Sequence, residues 1–583
     1  MTSKSDIIKK IYLKLLPIQI LSSLVAATNA LIDSIIAGNF LGKEVMAAMG
    51  LFCPIATVLG LSYVISVGAQ ILCCKHMGKG ESEKVISLFS TCVIFLGSVS
   101  LIISVLMLIF RYPLAGFLGA SGNSQDLLAQ YILGTSFGIA AQSLMNMLMC
   151  FLPLNDKIKM SYICMGIMAG INVALDILLV CILHMGAFGM GLATSVSHLV
   201  TAVILFMNFL NKNQAVYFRF GNFCFSRLGK VAILGMPCAM FTIGATIKSY
   251  SMNATLLSVG GLDAVSAMTV QGNVCSFAGA FPSGIGGTTM IMSSIYYGED
   301  DQVSMKELLK YSLKVGIILT AVVSGVIMIG SGPIASVFYQ SGSSVWLLTR
   351  RMLIIFPVFL VFNAIFNIFI KIYQSQGQMV FTNAMSVAEN LVMAGIAFVL
   401  SPLLGCDAVW MSFTLSDLLC ILAIAISVFI KTQHITFRPE DWLKLDKGAI
   451  ADPEDRMAIS VHSVDEVINI SERVVEFCQN KGLDHRKCTI AGLCVEEMAG
   501  NIVSHGFSKD NKKHSVDIRL AYKNGEIVLR MRDDCTAFDP KSRMEQFTPE
   551  DPVKNAGIRL IGKMATDMDY QNNLGLNILT IKI

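Results

Sequence analysis

The feature that most constrains this 583-residue chain is a series of long apolar runs along most of its length. A helix that crosses a bilayer needs about 20 mainly apolar residues. Because backbone polar groups in lipid must be paired within the spanning segment, such runs predict transmembrane helices. We predict twelve of them, near 12–38, 46–72, 86–110, 127–151, 160–184, 188–210, 230–257, 264–296, 307–330, 346–371, 380–404 and 407–431.

The composition indicates that two parts of the chain face different solvents. Charged residues are 14% of the whole chain, whereas soluble proteins average about 25%. The deficit lies before Lys431, and the sequence from Thr436 to Ile583 has the composition of a soluble domain. We therefore predict an all-α membrane part followed by a soluble domain. The net charge of +4 is too small to indicate a nucleic-acid partner.

Basic residues in the loops predict the orientation, because cytoplasmic loops carry an excess of Lys and Arg. One alternate set of loops holds most of them, namely Lys9, Lys10, Lys75, Lys79, Lys84, Lys157, Lys159, Lys212, Arg219, Arg227, Lys230, Lys306, Lys310, Lys314, Lys371 and Lys431. The opposite set holds little beyond Lys43, Arg111, Arg350 and Arg351. We expect a multi-pass plasma-membrane protein with both termini, and the soluble domain, in the cytoplasm.

The membrane part repeats itself at an offset of about 220 residues, where Pro17 corresponds to Pro237 and Gly122 to Gly342. Two parallel halves of this kind are typical of transporters, which bind substrate near the midplane between the halves. The boundaries that we predict are 1–220 and 221–435 for two six-helix lobes, 436–457 for a linker and 458–583 for the soluble domain.

Five ionisable side chains lie inside the apolar runs: Asp33, Asp176, Lys248, Glu389 and Asp417. An ionisable group inside a span is costly and is a functional candidate by default. Asn172 lies one helical turn before Asp176, so that the two side chains share a face. Oxygen ligands suit a hard cation such as Na⁺, and a carboxylate alone suits a proton. The alternative is that these groups only join helices by hydrogen bonds.

Two segments resemble a known family. The run Leu31–Gly38, and the run Asn172–Asp176 with the glycines that follow it, are similar to helices of multidrug and toxic compound extrusion (MATE) transporters. The resemblance covers about 430 residues and both halves. It implies export of a small organic, cationic substrate, coupled to Na⁺ or H⁺, across a bacterial membrane. It also implies a cation site in the first lobe, formed by Asp33, Asn172, Asp176 and Thr194.

The seventh span departs from one pattern of this family. Other branches place an acidic residue there, where this chain has Lys248. The departure argues against a cation site of that kind in the second lobe. Three roles stay open for Lys248, which are pairing with Glu389 or another carboxylate, reaching the membrane surface and contacting substrate.

The soluble part alternates between helical and strand patterns. Helices are predicted at Ser463–Lys481 and Asp484–Phe507, strands at 516–520, 527–531 and 576–583, and a hairpin turn at Asn524-Gly525.

Three segments of this part carry candidate chemistry. Glu497 and Asn501 lie one helical turn apart, where a carboxylate can orient a hydroxyl and an amide oxygen can hold Mg²⁺. Asp533 ends a strand and can accept a hydrogen bond from an adenine amino group. Gly557 lies in a loop that opens a helix, whose N-terminus favours phosphate.

The order of these segments resembles the GHKL ATPase fold, an α/β sandwich of the histidine-kinase type, and within it the anti-sigma-factor serine kinases. The resemblance implies Glu497 as general base, Asn501 as Mg²⁺ ligand, Asp533 as adenine contact and Gly557 in the phosphate loop. The chain departs from the pattern where the family prefers glycine, at Cys535, Ala537 and Asn555. A side chain costs free energy where the backbone must approach a ligand closely. ATP binding is therefore expected to be weakened, and kinase activity stays open.

These observations favour a cation-coupled multidrug exporter with a regulatory, ATP-binding domain. Its partners would be the substrate, the surrounding lipid and a cytosolic regulatory protein. ATP is not expected to drive transport, because the sequence has no GxxxxGK[ST] loop. Two alternatives stay open: a signalling protein whose soluble domain phosphorylates or sequesters a cytosolic partner, and a flippase for lipid-linked substrates.

Overall fold

The computed structural model of the chain confirms a helical membrane part followed by an α/β domain built on one sheet. It describes residues 4–41, 45, 49–60, 62–436, 438–444, 455–507, 514–523, 525–536, 539–540, 556–573 and 575–583.

The first half of the membrane part, the N-lobe, has its last helix end at Phe209. Its α-helices are α1 (Lys4–Ile36), α2 (Cys53–Gly60), α3 (Ser62–Gly78), α4 (Ser82–Ile109), α5 (Arg111–Phe117), α6 (Asn123–Ser136), α7 (Ile139–Phe151), α8 (Ile158–Asp176) and α9 (Gly186–Phe209).

The second half, the C-lobe, follows with a similar succession of helices. They are α10 (Leu228–Ala278), α11 (Ala280–Gly298), α12 (Gln302–Ile329), α13 (Ser331–Phe338), α14 (Ser344–Ile355), α15 (Phe359–Gln376), α16 (Met379–Leu404) and α17 (Cys406–Thr432).

Within the described part of the chain, ten helical runs are long and apolar enough to cross a membrane. An eleventh is added if the bent pair Asn123–Ser136 and Ile139–Asn155 is one span. One of the ten, Phe225–Gly298, has 74 residues and contains both the seventh and the eighth predicted spans. It is broken at Gly261, whose φ of 64° is not helical. A multi-pass protein is therefore confirmed, and the count of twelve stays a prediction.

The two lobes meet through glycines where α3 crosses α10 and α11. A Cβ atom at Gly68 would overlap the carbonyl oxygen of Val231, and one at Gly235 would overlap that of Val64. A Cβ atom at Gly78 of α3 or at Gly298 of α11 would likewise overlap a backbone carbonyl oxygen of the other helix. Since these positions leave no room for a side chain, the backbones of the two lobes are in direct contact.

The soluble domain is a five-stranded antiparallel sheet with helices on one face. The strand alternation predicts three of these strands, and the first and fourth along the chain are not among those predictions. Its strands are β1 (Arg456–Val461), β2 (Val516–Lys523), β3 (Glu526–Asp533), β4 (Asp567–Asn573) and β5 (Leu576–Lys582), in the order β1-β2-β3-β5-β4. The helices are α19 (Val464–Asn480), α20 (His485–Asn501) and α21 (Ala556–Met564), after a short α18 (Pro439–Trp442).

Alternation along the strands separates an apolar face from a polar one. Ile518 and Leu520 of β2 and Leu529 of β3 pack into one core with Val474 of α19 and Val495 of α20. Residues between them, including Arg519 and Arg530, point to the opposite face. The predicted turn is present at Gly525, with a φ of 83°. Asn524 lies outside the described residues.

The described start of the predicted linker packs against the membrane part. Tyr373 of α15 donates a hydrogen bond to the Trp442 carbonyl at 2.8 Å, and Gln376 donates to that of Leu443 at 2.8 Å. The Trp442 ring lies 5.3 Å from that of Phe369. Strand β1 begins at Arg456 and so extends across the predicted boundary at 458.

Candidate ion and nucleotide sites

The structure brings the four predicted cation-site residues together inside the N-lobe. Asp33 lies in α1, Asn172 and Asp176 in the last turns of α8, and Thr194 in α9. The Asn172 amide reaches the Thr194 hydroxyl at 3.5 Å. The carboxyl groups of Asp33 and Asp176 are neighbours, so that each affects the ionisation of the other. Residues far apart in the sequence thus form one cluster.

Several oxygen atoms of this cluster lack a hydrogen-bond partner among the described residues. They are both carboxylate oxygens of Asp176, one of Asp33 and the amide oxygen of Asn172, and all are buried. Asp176 is fully buried and Asn172 is 2% exposed. A buried anion without a partner is strongly unfavourable. The cluster therefore has the chemistry of a site for a hard cation or a proton.

Two features of this site were not predicted from the sequence. The helices that carry the carboxylates continue as π-helical segments, Ala37–Leu41 after α1 and Ile177–Ile182 directly after Asp176. Such π-helical bulges are frequent at functional sites. Asn29, one turn before Asp33 on α1, also has a buried amide oxygen without a partner among the described residues. Its spacing to Asp33 was the signal that could have identified it.

The C-lobe contains a second group of ionisable side chains within its helices, on α10, α16 and α17. Glu389 is 5% exposed and accepts a hydrogen bond from Asn363 at 3.0 Å. Asp417 is fully buried, with no partner for either oxygen within the described part of the chain. The ammonium of Lys248 lies 5.5 Å from the Phe413 ring centre. The described residues therefore show a cation–π contact for Lys248, and no Lys248–Glu389 ion pair at contact distance.

Two of the predicted nucleotide-site residues meet at the start of α21. A Cβ atom at Gly557 would overlap the carboxylate of Glu497, which lies on the exposed side of α20. Glycine lets the backbone of the helix start lie directly against this carboxylate. Asn501 is the last residue of α20, one turn beyond Glu497. Of the three departures from the family pattern, Ala537 and Asn555 lie outside the described residues.

Asp533 is buried at the end of β3 and held by a neighbour on β5. Its Oδ1 accepts hydrogen bonds from the Asn577 amide at 2.8 Å and from the Cys535 backbone at 3.0 Å. Burial raises the pKa of Asp533. Asn577 also donates to the Cys535 carbonyl at 3.1 Å, and thus fixes the segment after the strand. A carboxylate held in this way at the end of a strand fits a contact to an amino group.

The next residue, Asp534, connects this site to the membrane part. It forms an ion pair with Lys10 at the start of α1 and lies 2.8 Å from Nδ1 of His514. Burial alone would raise the pKa of Asp534, but Lys10 and His514 lower it below its usual value. His514, Asp534 and Cys535 have ligand atoms within 4.8 Å of one another. Because Lys10 and His514 already compensate the carboxylate, a metal ion is not needed to explain this cluster.

The fold and its sites define a two-lobed membrane transporter with a fused ATPase-type domain. The MatE family model matches residues 19–178 and 237–399, more than half of the chain, and the model of the histidine kinase-like ATPase domain matches 462–583. The chain therefore belongs to the MATE family of membrane transporters.

Curated relatives and solved structures agree with this assignment. The chain is 23% identical to multidrug export protein MepA of Staphylococcus haemolyticus over 466 residues, which cover 77% of this chain and 98% of MepA. It is 21% identical to the probable multidrug resistance protein NorM of Photorhabdus laumondii, over 59% of this chain and 77% of NorM. A structure described as the outward-facing conformation of a multidrug resistance MATE family transporter has a TM-score of 0.68, with 21% identity, over 75% of this chain and 97% of that one.

Proposed function

We propose that the protein exports small organic, cationic compounds in exchange for Na⁺ or H⁺. The observation that carries the proposal is the group of buried, unpartnered oxygens of Asp33, Asn172 and Asp176. One similar curated relative is named for multidrug export and another for probable multidrug resistance. The soluble domain and both termini would lie in the cytoplasm of a bacterial cell, as the Lys- and Arg-rich loops predict.

The chemistry of the site supports coupling to a cation. Two neighbouring carboxylates in a nonpolar interior repel each other when both are ionised. A proton on one of them, or a Na⁺ ion between them, relieves that repulsion. Release of the ion would change the local packing, and the π-helical segments beside both carboxylates are where the helices can adjust. A ligand shifts a conformational equilibrium only by binding one state better than the other.

Efflux of a cationic dye from proteoliposomes tests the proposal. Vesicles with an imposed Na⁺ gradient are compared with vesicles with an imposed pH gradient, each with and without an ionophore that collapses the gradient. We expect efflux with one of the two gradients and loss of efflux when it collapses. Equal dye movement in both conditions and in empty vesicles would contradict the proposal.

We further propose that the soluble domain binds ATP with Mg²⁺ and regulates transport. Asp533 would contact adenine, Asn501 would hold Mg²⁺ and Gly557 would lie against the phosphates. The proposed regulation of transport is supported by the ion pair between Asp534 and Lys10. Lys10 belongs to α1, the helix that carries Asp33. Nucleotide bound beside Asp533 would thereby influence the helix that holds the coupling ion.

Asp533→Asn is expected to weaken ATP binding by on the order of tenfold, because its amide NH₂ would face the adenine amino group and leave a donor unpaired. Titration of the purified chain with a fluorescent ATP analogue measures this. Glu472→Gln, at an exposed position of α19, is the control and is expected to bind like the wild type. Equal affinity in both variants would rule out Asp533 as the adenine contact.

A further inference from the structure

The outer face of the soluble domain's sheet is charged, and it is nevertheless buried. Arg530 is 7% exposed and Arg532 is 4% exposed, although both alternate with core residues of β3 and point away from the domain's own helices. A polar sheet face normally lies in water. Here it is covered by the ends of the membrane helices.

Arg530 contacts both lobes with one side chain. Its Nη2 donates to the carbonyl of Gly78, the last residue of α3 in the N-lobe, at 2.8 Å. Its Nη1 donates to the carbonyl of Glu299, directly after α11 in the C-lobe, at 3.2 Å. Both acceptors are carbonyl groups at the C-terminal end of a helix, where the helix carries partial negative charge. The Nε of Arg530 donates to the Thr580 hydroxyl of β5 at 3.3 Å, so the guanidinium also keeps a hydrogen bond within its own sheet.

The neighbouring arginines attach the sheet to the C-lobe. Arg532 pairs with the carboxylates of Glu299 and Asp301, and Arg519 donates to Asp301 at 2.8 Å. Burial alone would raise the pKa of Asp301, but Arg519 and Arg532 hold that pKa well below its usual range. Burial raises the pKa of Glu299 in spite of the arginines. Asp301 is therefore expected to stay ionised to a lower pH than Glu299.

Strand β4 attaches the same domain to the N-lobe. Ser82, the first residue of α4, donates to Asp569 at 3.2 Å and accepts a hydrogen bond from Gln571 at 2.9 Å. Thus one rigid sheet holds the ends of α3 and α4 on one side and the α11–α12 connection on the other. These contacts lie beside Gly78 and Gly298, where the backbones of the two lobes touch.

We propose that this sheet face, which we call the clamp and define by Arg519, Arg530, Arg532, Asp569 and Gln571, holds the transporter closed on the side that bears the soluble domain. Arg530 is the positioning residue that binds both lobes at once. Opening of that side requires Arg530 to leave the helix end of at least one lobe. The proposal rests on the proposed transport cycle only in assuming that the lobes move apart, and it does not require that the domain binds ATP.

The distance between the lobes tests the clamp directly. Spin labels are placed at Lys157 of the N-lobe and Lys310 of the C-lobe, both exposed, through a non-natural amino acid, because the chain has 16 cysteines. In the full-length protein in lipid nanodiscs, Arg530→Gln is expected to increase the population with the longer separation by on the order of tenfold, since it removes charged hydrogen bonds to both lobes. Arg530→Lys is expected to give a population between those of the wild type and Arg530→Gln, because an ammonium lacks the planar fork that reaches two acceptors.

The control is Arg473→Gln, an exposed arginine of α19, which is expected to leave the distance distribution unchanged. A second variant, Asp301→Asn, weakens the clamp from the membrane side and leaves the sheet intact, so that it separates loss of the clamp from misfolding of the domain. Unchanged distances in both Arg530→Gln and Asp301→Asn would overturn the proposal. The readout does not depend on dye efflux, so failure of the proposed export would leave this result interpretable.

Discussion

Asp33→Asn and Asp176→Asn, made singly, are each expected to reduce gradient-driven dye efflux to the level of empty vesicles. An amide of the same shape neither takes up a proton at neutral pH nor offers a negative charge to Na⁺. The energetic difference between the ion-bound and ion-free states is then lost, and a gradient cannot shift the equilibrium between them. Initial rates of efflux from proteoliposomes, with matched amounts of inserted protein, measure the effect.

The matched control is Asp126→Asn, at an exposed position in the first turn of α6, which is expected to transport like the wild type. Retention of gradient-driven efflux in Asp176→Asn would remove that residue from the coupling site.

A stability measurement separates this role from a purely structural one. If Asp176 only joined helices by hydrogen bonds, its replacement would lower the melting temperature of the protein. Its two oxygens have no partner among the described residues. Removal of a costly buried charge is therefore expected to leave the melting temperature unchanged or to raise it. Loss of transport together with retained stability is the combination that the ion site predicts.

The residues of the candidate ion site stand out in the sequence because a carboxylate inside an apolar run is costly wherever the helix is placed. Asp33 and Asp176 are recognisable on that ground, and the helical period adds Asn172. The π-helical segments after both carboxylates could not be predicted. Their sequences, AGNFL and ILLVCI, share no residue pattern that distinguishes a π-helix from an α-helix.

The clamp shows a different limit of sequence reasoning. Arg530 and Arg532 alternate with Leu529 and Met531, a pattern that favours a half-buried strand with a solvated face. The pattern correctly predicts which side chains point away from the core of the domain. It contains no information about a second surface that covers them. The partner residues, such as Glu299, are more than two hundred positions away and read as an ordinary polar loop between helices.

Gly68→Val is expected to lower efflux by at least about tenfold while the protein still folds. In this structure α3 and α10 are so close that any Cβ at Gly68 would overlap the backbone of Val231. Backbone atoms cannot move aside as a flexible side chain can, so the lobes must separate to accept the new residue. This crossing joins the two lobes and does not belong to the interior of either one. The substitution therefore destabilises the state in which the lobes are closed on the side that bears the soluble domain.

The same argument predicts that Gly235→Val behaves like Gly68→Val, because its Cβ would overlap the backbone of Val64 from the opposite side of the crossing. Gly166→Val is the control, since that glycine lies within α8 with open space around its Cβ position, and it is expected to transport normally. Efflux rates and melting temperatures of the three variants are compared. If both crossing variants matched the control in efflux, contact between α3 and α10 would not be needed for transport. If they failed only in efflux, close approach of these backbones would be a required state of the transport cycle.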